Sequence, residues 1–591
     1  MCSFFYFRVF FNGMKKTFRS DWWVFAAFAL VTVLSNALLV PEGLALHDSD
    51  ALLQPLWADR LWRGGTWSAF PFQQGYGGTL PALVRSVWAL ITEPLIALFP
   101  SRLPPHVTAH MIFSYMIEPL AIALTAFFAL KGTVSRIGAF LAALCCAVGF
   151  HEWVYLYGND YYMALVVMGL LFLKIKTRHE NPFATMKAGE LLLTGFFCGI
   201  ALWTFRPTII FMVALFTPFH LVLPELRRIL AARGKIERFI FWTLAAAMVL
   251  QLVIWMAGPD IGTIAGRRVR LHAGSNMRIV GALALLLWIK TRLSSLQPRH
   301  FVKAALVAAA AVTGFIPELS FMLTRPDASF GNWMTNDFGG ALDTLKQLPH
   351  SLLELMTGED HLSLYTGMDR NAPIILLVLS TFALLRGAAR DRKLVPPLVI
   401  AVLAVIAYLR VYMTGPAEAR YLYPLFPVII FSIGVLWDAT TKTRAARILV
   451  LLLIALNCGY QINQRRALAA FSQNSGRVHS IMETVSLMQK QDVPVVISDS
   501  YWHANAFSFV SRGKPLFASG TAEWGPPEAR ALALSTDLAG ILLTGNTAPT
   551  ADGIVTLLGK SFALSPLPST GMFKCYRGKI LTKKKQPGTS P

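Results

Sequence analysis

Stretches of about 20 residues with almost no charge recur from Trp22 to Tyr460, each long enough to cross roughly 30 Å of hydrocarbon as a helix. Inside a bilayer the backbone N–H and C=O groups find no water, so such segments can fold only as helices packed into a bundle. Composition agrees. Of 591 residues, 55% are hydrophobic and 15% charged, with a mean hydropathy of +0.52, more apolar surface than a water-soluble fold hides.

Taking each long apolar run as one span places helices near 22–40, 108–130, 136–153, 161–173, 189–205, 207–223, 239–257, 279–290, 302–323, 372–386, 394–413, 421–437 and 447–463, about thirteen in all. Lys15, Lys16 and Arg19 precede the first span. That span is too long for a signal-peptide core and no small-residue cleavage site follows it, so it reads as uncleaved, with residues 1–21 cytoplasmic. Met14-Lys15-Lys16 also looks like a translation start.

Lys+Arg (54) exceed Asp+Glu (32), a formal charge of +22. The excess lies between apolar stretches, so it points to anionic lipid headgroups and not to nucleic acid. Lys174, Lys176 and Arg178, then Arg227, Arg228 and Arg233, then Arg386, Arg390, Arg392 and Lys393 all fall in loops that an inside N-terminus makes cytoplasmic. The loop with Arg267, Arg268, Arg270 and Arg278 is outer and breaks the pattern.

Two outer loops are long, 41–107 and 324–371, and long connections within a bundle are usually functional. In the first, Glu93 and Pro94 interrupt the apolar run from Ser86 to Phe99, which reads as a helix lying on the membrane. After Tyr460 the composition becomes that of a soluble domain, 464–580, with strands expected at 493–498, 514–519 and 540–545 and helical sequence before each. An odd span count puts this small α/β domain outside. The Lys-rich tail 581–591 reads as disordered. Six cysteines, none in a C-x-x-C spacing, indicate neither a zinc site nor a disulfide framework.

Candidate chemistry collects at the outer face. His47-Asp48-Ser49-Asp50 follows the first span at once, and two carboxylates two residues apart can share a cation or divide the roles of base and ligand. Asp48 also suits an N-cap. Asn159-Asp160 opens the fourth span, and a carboxylate at a membrane boundary is costly unless solvated, paired or used. Arg206, Arg267, Arg268, Arg270 and Arg420 stand at outer span ends, where a guanidinium either snorkels to headgroups or grips a phosphate with two donors. Tyr76, within Gln73-Gln74-Gly75-Tyr76-Gly77-Gly78, and Tyr421 offer rings for sugar or headgroup contact.

This order of parts resembles the GT-C glycosyltransferase superfamily, most nearly the bacterial relatives of protein O-mannosyltransferases and aminoarabinose transferases. The likeness is carried by His47-Asp48-Ser49-Asp50, Tyr76-Gly77-Gly78, Asn159-Asp160 and Arg420-Tyr421-Leu422-Tyr423-Pro424-Leu425-Phe426-Pro427. It implies an all-α polytopic bundle with an extracytoplasmic α/β domain, in the bacterial inner membrane. It also implies transfer of a sugar from a polyprenyl-phosphate donor to a glycan, lipid or protein acceptor. Asp48, or else Asp50, would deprotonate the acceptor. Asp50 and Asp160 would orient it or hold a divalent cation, Mg²⁺, Mn²⁺ or Ca²⁺. Arg206 or Arg420 would stabilise the departing phosphate, with His47, Tyr76, Asn159, Arg267, Arg268, Arg270 and Tyr421 as further substrate contacts. Relatives often carry adjacent acids where Ser49 here separates the pair. A lipid or glycan transporter and an inactive envelope scaffold are the competing readings, and neither internal duplication nor broken midplane helices speak for the first.

Overall fold

A computed structural model describes residues 21–47, 52–63, 78–150, 160–179, 181–216, 242, 260–264, 267–270, 298–324, 338–357, 367–410, 419–440, 443–520, 527–544 and 547–581. Helices occupy every expected span position except 239–257 and 279–290, which lie outside the described residues apart from Trp242. They are α1 (Asp21–Leu39), α4 (Pro105–Leu130), α5 (Arg136–Val148), α6 (Asp160–Arg178), α7 (Ala188–Thr204), α8 (Ile209–Phe216), α9 (Pro298–Thr324), α11 (Ala372–Ala388), α12 (Val395–Arg410), α13 (Phe426–Ala439) and α14 (Arg444–Ser475). Among the described residues, seven helices are long and apolar enough to cross a membrane, with three shorter apolar ones besides. The chain is a multi-pass membrane protein. Leu30 and Leu34 of α1 and Leu449, Leu452 and Leu456 of α14 stay exposed, as lipid-facing residues do.

The first long loop folds into α2 (Leu53–Trp62) and α3 (Leu80–Ile96). Along α3, Val84, Val87, Ile91 and Leu95 are exposed at spacings of three and four, the apolar stripe of a helix lying in an interface, and Leu98 in the turn beyond continues it. Pro94 sits inside the helix and does not end it. On the opposite face the fully buried Arg85 donates to the His110 carbonyl (3.2 Å) and Ser114 Oγ (2.5 Å) of α4, with Glu118 Oε2 3.5 Å away. Here α4 widens into a π turn over Phe113–Ile117, which reshapes the helix around the guanidinium. The second long loop contains an amphipathic helix, α10 (Phe338–Thr357), which no charge-free run announces.

Helix α14 passes without a break through residue 463, where the composition changes, and ends at Gly476 in the left-handed conformation. Its extension stays helical because Gln461, Gln464, Arg465 and Ser472 are buried and bonded. Tyr460 Oη donates to the Thr357 carbonyl (3.0 Å), Gln461 Nε2 to that of Met356 (3.0 Å), and Arg465 Nη1 to that of Gln461 (2.8 Å).

Beyond it come α15 (Arg477–Lys490), α16 (Tyr501–Ser511), α17 (Pro527–Ser535) and a six-stranded sheet. A separate hairpin, β1 (Asp260–Ile264) with β2 (Arg267–Arg270), precedes α9. The sheet strands are β3 (Val495–Ser498), β4 (Leu516–Ser519), β5 (Leu538–Leu543), β6 (Ile554–Leu557), β7 (Lys560–Pro566) and β8 (Lys574–Ile580), in the order β4-β3-β5-β8-β7-β6. β3, β4 and β5 are parallel and stand where the sequence places strands, while β6, β7 and β8 add an antiparallel half that it does not announce.

Candidate active site

The ends of the helices sort into two layers. At one, Lys131 Nζ lies 2.6 Å from Asp21 Oδ2, Arg136 pairs with the same carboxylate, Ser135 N donates to Asp438 (2.7 Å), and Thr133 bonds Thr177. Since α1 leaves that layer at Asp21 and α6 returns to it at Thr177, His47 and the backbone of Asp160 both lie at the opposite layer. Arg206 and the turn Ala419–Leu425 join them there. Tyr162, in the first turn of α6, packs its ring 5.0 Å from Phe205 and 5.2 Å from Tyr423.

The first loop is fastened to this layer at two points. Gly78 N donates to the Thr204 carbonyl (2.9 Å), and Gln54 Nε2 of α2 donates to the Gly78 carbonyl (3.2 Å). A Cβ at Gly78 would lie 2.3 Å from the Trp203 carbonyl oxygen, so the glycine permits a close backbone approach three residues before Arg206. The second point is His47, whose Nε2 lies 2.9 Å from Ser472 Oγ on α14, while Ser472 Oγ donates to the Glu42 carbonyl (3.0 Å). A serine has one hydroxyl proton. Ser472 gives it to Glu42, so its oxygen accepts from His47, which carries its proton on Nε2 and leaves Nδ1 as an acceptor. Burial, and then the charge of Arg477, lower the His47 pKa to about 4, so the ring is neutral at physiological pH.

Arg206, in a short turn between α7 and α8, sends Nε (2.9 Å) and Nη2 (2.5 Å) to Glu318 Oε1 on α9. The carboxylate is 1% exposed and the guanidinium 29%, so Glu318 is the buried half of the pair and Arg206 the half that faces outward. What brings them together is the packing of α7 on α9. A Cβ at Gly199 would lie 2.0 Å from the Ala311 carbonyl oxygen, and one at Gly314 would lie 2.3 Å from that of Phe196. Small residues on both helices allow their backbones to touch.

The expected site residues fare as follows. Asp48, Asp50, Tyr76 and Asn159 lie outside the described residues. Of Asp160, Arg420, Arg267, Arg268 and Arg270 the backbone alone is described, Arg420 in the turn Ala419–Leu425 and the other three arginines on β2. Tyr421 is half-buried in that same turn. Two partners were missed by the sequence reading, Glu318 and Ser472. An acidic residue near the end of an apolar helix was a usable signal for the first; a serine on a polar helix face gives none. Among the described residues no three His, Cys, Asp or Glu side chains come together as a metal cluster. Glu318, the carboxylate at the Arg206 turn, is engaged by that arginine, and the side chains of the expected ligands Asp50 and Asp160 lie outside the described residues.

No protein-family model matches the chain, and no curated protein sequence does. Solved structures match over nearly its whole length. ArnT from Cupriavidus metallidurans in the apo state gives a TM-score of 0.52 at 12% identity, covering 93% of this chain and 98% of that one. The same protein bound to undecaprenyl phosphate gives 0.52 at 11%, covering 94% and 98%. The archaeal oligosaccharyltransferase AglB from Archaeoglobus fulgidus, in complex with an inhibitory peptide and a dolichol-phosphate, gives 0.47 at 12%, covering 89% and 70%. At such identities the likeness is one of fold alone: this chain folds over nearly its whole length as ArnT does.

Proposed function

We propose that this chain is a membrane glycosyltransferase that moves a sugar from a polyprenyl-phosphate donor to an acceptor hydroxyl at the outer face of the cytoplasmic membrane. One observation carries the reading. The chain on either side of Asp48–Asp50, the start of α6 at Asp160, the Arg206 turn and the Ala419–Leu425 turn converge on one layer of a bundle whose fold extends over nearly all of ArnT. A protein of that fold has been seen with undecaprenyl phosphate.

In this mechanism Asp48 takes the proton of the acceptor hydroxyl as its oxygen attacks the anomeric carbon. The bond from that carbon to the phosphate oxygen breaks, and the polyprenyl phosphate leaves with the electron pair. Asp50 and Asp160 orient the acceptor, and a divalent cation bound between them would supply charge stabilisation there. Arg206 and Arg420, together with Arg267, Arg268 and Arg270, meet the charge that grows on the departing phosphate. Glu318 fixes the Arg206 guanidinium in advance, so little reorganisation is needed when the phosphate arrives. His47, neutral and tied to Ser472, anchors the backbone one residue before the base.

The test is Asp48→Asn and Asp50→Asn in the full-length protein, with lipid-linked sugars and envelope glycans compared by mass spectrometry. Loss of transfer by at least one variant at normal membrane abundance, with one polyprenyl-phosphate sugar accumulating, is the expected outcome. Wild-type glycan profiles in both variants and in the deletion strain would favour a transporter or scaffold instead.

A further inference from the structure

Resting on the transferase reading, we infer that Arg512 of the C-terminal domain is a positioning residue for the transfer: it clamps both helices of the first loop and so sets the placement of the segment that carries Asp48 and Asp50. Arg512 follows α16 and reaches out of its own domain. Its Nε donates to Asp59 Oδ1 of α2 (3.1 Å) and its Nη2 to Glu93 Oε2 of α3 (2.6 Å). One guanidinium thus bridges the two helices between which the first loop runs. Asp59 is 1% exposed and has Arg63 Nη2 at 2.7 Å as its second cation, while Arg63 Nη1 also donates to the Arg512 carbonyl. His106 Nε2, at the start of α4, donates to the Phe509 carbonyl (2.9 Å), and Arg60 meets Glu528 (3.1 Å) across the same junction.

The backbone argues that the side chain matters. Arg512 has φ 54°, in the left-handed region where a residue with a Cβ is strained and glycine is not. Gly513, with φ 74°, follows directly. A chain that needed only the turn would be served better by glycine at both places. An arginine kept there has to be repaid by what its side chain holds, and it holds two carboxylates of another part of the molecule.

Those contacts lead toward the site. Asp59 stands on the second turn of α2, a helix that begins three residues after Asp50. Gln54, on the first turn of α2, bonds Gly78, and Gly78 bonds Thr204, two residues before Arg206. Moving the C-terminal domain by an ångström would therefore move α2 against both the proposed base and the proposed phosphate grip. On this inference the domain acts on catalysis through Arg512 and does not merely cap the bundle.

The experiment uses full-length protein in lipid nanodiscs, with Arg512→Gly, which relieves the backbone while removing the clamp, and Arg512→Lys, which restores one cation. Arg512→Gly should lower kcat by about tenfold or more, the size of effect that small displacements of reacting groups produce. Its donor KM should stay within about threefold, because phosphate binding is not what is lost. Arg512→Lys should regain a clear part of the rate. Amide hydrogen exchange in α2 and α3 should quicken in Arg512→Gly and stay unchanged in α11 and α13. Wild-type kcat with unchanged exchange in α2 and α3 overturns the inference. So does a loss of rate that simply follows a loss of melting temperature and is not recovered by lysine. If the wild type transfers sugar from no polyprenyl-linked donor, the transferase reading fails, and the exchange data alone decide whether Arg512 holds the first loop.

Discussion

Single side chains at the outer layer are committed to partners before any substrate arrives, and their protonation follows from those partners. His47 has its pKa lowered to about 4, and so has His503, in both cases by burial first and the charge of Arg477 second. A histidine whose folded pKa lies below its unfolded value of 6.5 resists protonation in the native state only. The unfolded chain therefore binds more protons between pH 6.5 and 4, and the stability present above pH 6.5 is lost as pH falls through that window. For His47 the shift corresponds to roughly 3 kcal/mol across the whole interval. The melting temperature of detergent-solubilised wild type should accordingly fall more steeply from pH 7 to pH 5 than that of His47→Asn, whatever their offset at pH 7. Parallel slopes would mean that the ring is not held neutral. Ser472→Ala tests the same contact from the other side: it should cost about 1–2 kcal/mol, the usual effect of leaving a buried donor without its acceptor, read as a drop in melting temperature.

At the scale of elements, the helix pair α7 and α9 shows how packing prepares a charge. Gly199 and Gly314 let the two backbones touch, and the Arg206–Glu318 pair closes seven residues after the first and four after the second. Gly199→Val would force the Ala311 carbonyl away from a position only 2.0 Å from the new Cβ, at a cost of about 1–3 kcal/mol or more for an overpacked contact. The separation should also spread Arg206 from Glu318, so transfer should fall further than stability alone predicts; equal melting and rate in Gly199→Val would contradict the packing account. Much at this scale was legible in the sequence. Charge-free runs fix spans, and the apolar cores of β3, β4 and β5 read as strands because parallel strands are buried on both faces. The antiparallel strands β7 and β8 were not legible: Lys560–Pro566 and Lys574–Ile580 mix buried, partial and exposed positions, so no apolar run marks them. Helix α10 escaped notice for the same reason, and α14 outran its apolar stretch because its polar residues are bonded inside the protein. Glu318 went unread although an acid inside an apolar run is a usable signal, and its pairing with a residue 112 positions away is a property of the packed helices alone.

The whole molecule is polarised between its two layers. One holds Asp21 with Lys131 and Arg136, along with the ends of α6, α11 and α13, where basic residues are dense. The other holds His47, the first-loop helices, the Arg206 turn and the C-terminal sheet domain. By the positive-inside rule we propose that the first layer is cytoplasmic, because Lys174, Lys176, Arg178, Arg386 and Arg390 stand at the ends of α6 and α11 there, with the loop of Arg267, Arg268, Arg270 and Arg278 as the departure from the rule. Sidedness can thus be tested as one property and not loop by loop. Lys490→Cys, at the exposed end of α15, and Phe99→Cys, just past α3, should both react with a membrane-impermeant maleimide added to intact cells with the outer membrane permeabilised. Asp391→Cys, in the exposed turn between α11 and α12, should react only after the inner membrane is opened. Among the described residues Cys145, Cys146, Cys198 and Cys575 are buried and Cys458 is half-buried, and Cys2, outside the described residues, is replaced by serine in every variant. Labelling of Lys490→Cys and Phe99→Cys from opposite sides would separate the sheet domain from the first loop and leave Arg512 with nothing to clamp. Labelling of both from the cytoplasm would keep the clamp intact and turn the proposed transfer to the other face of the membrane.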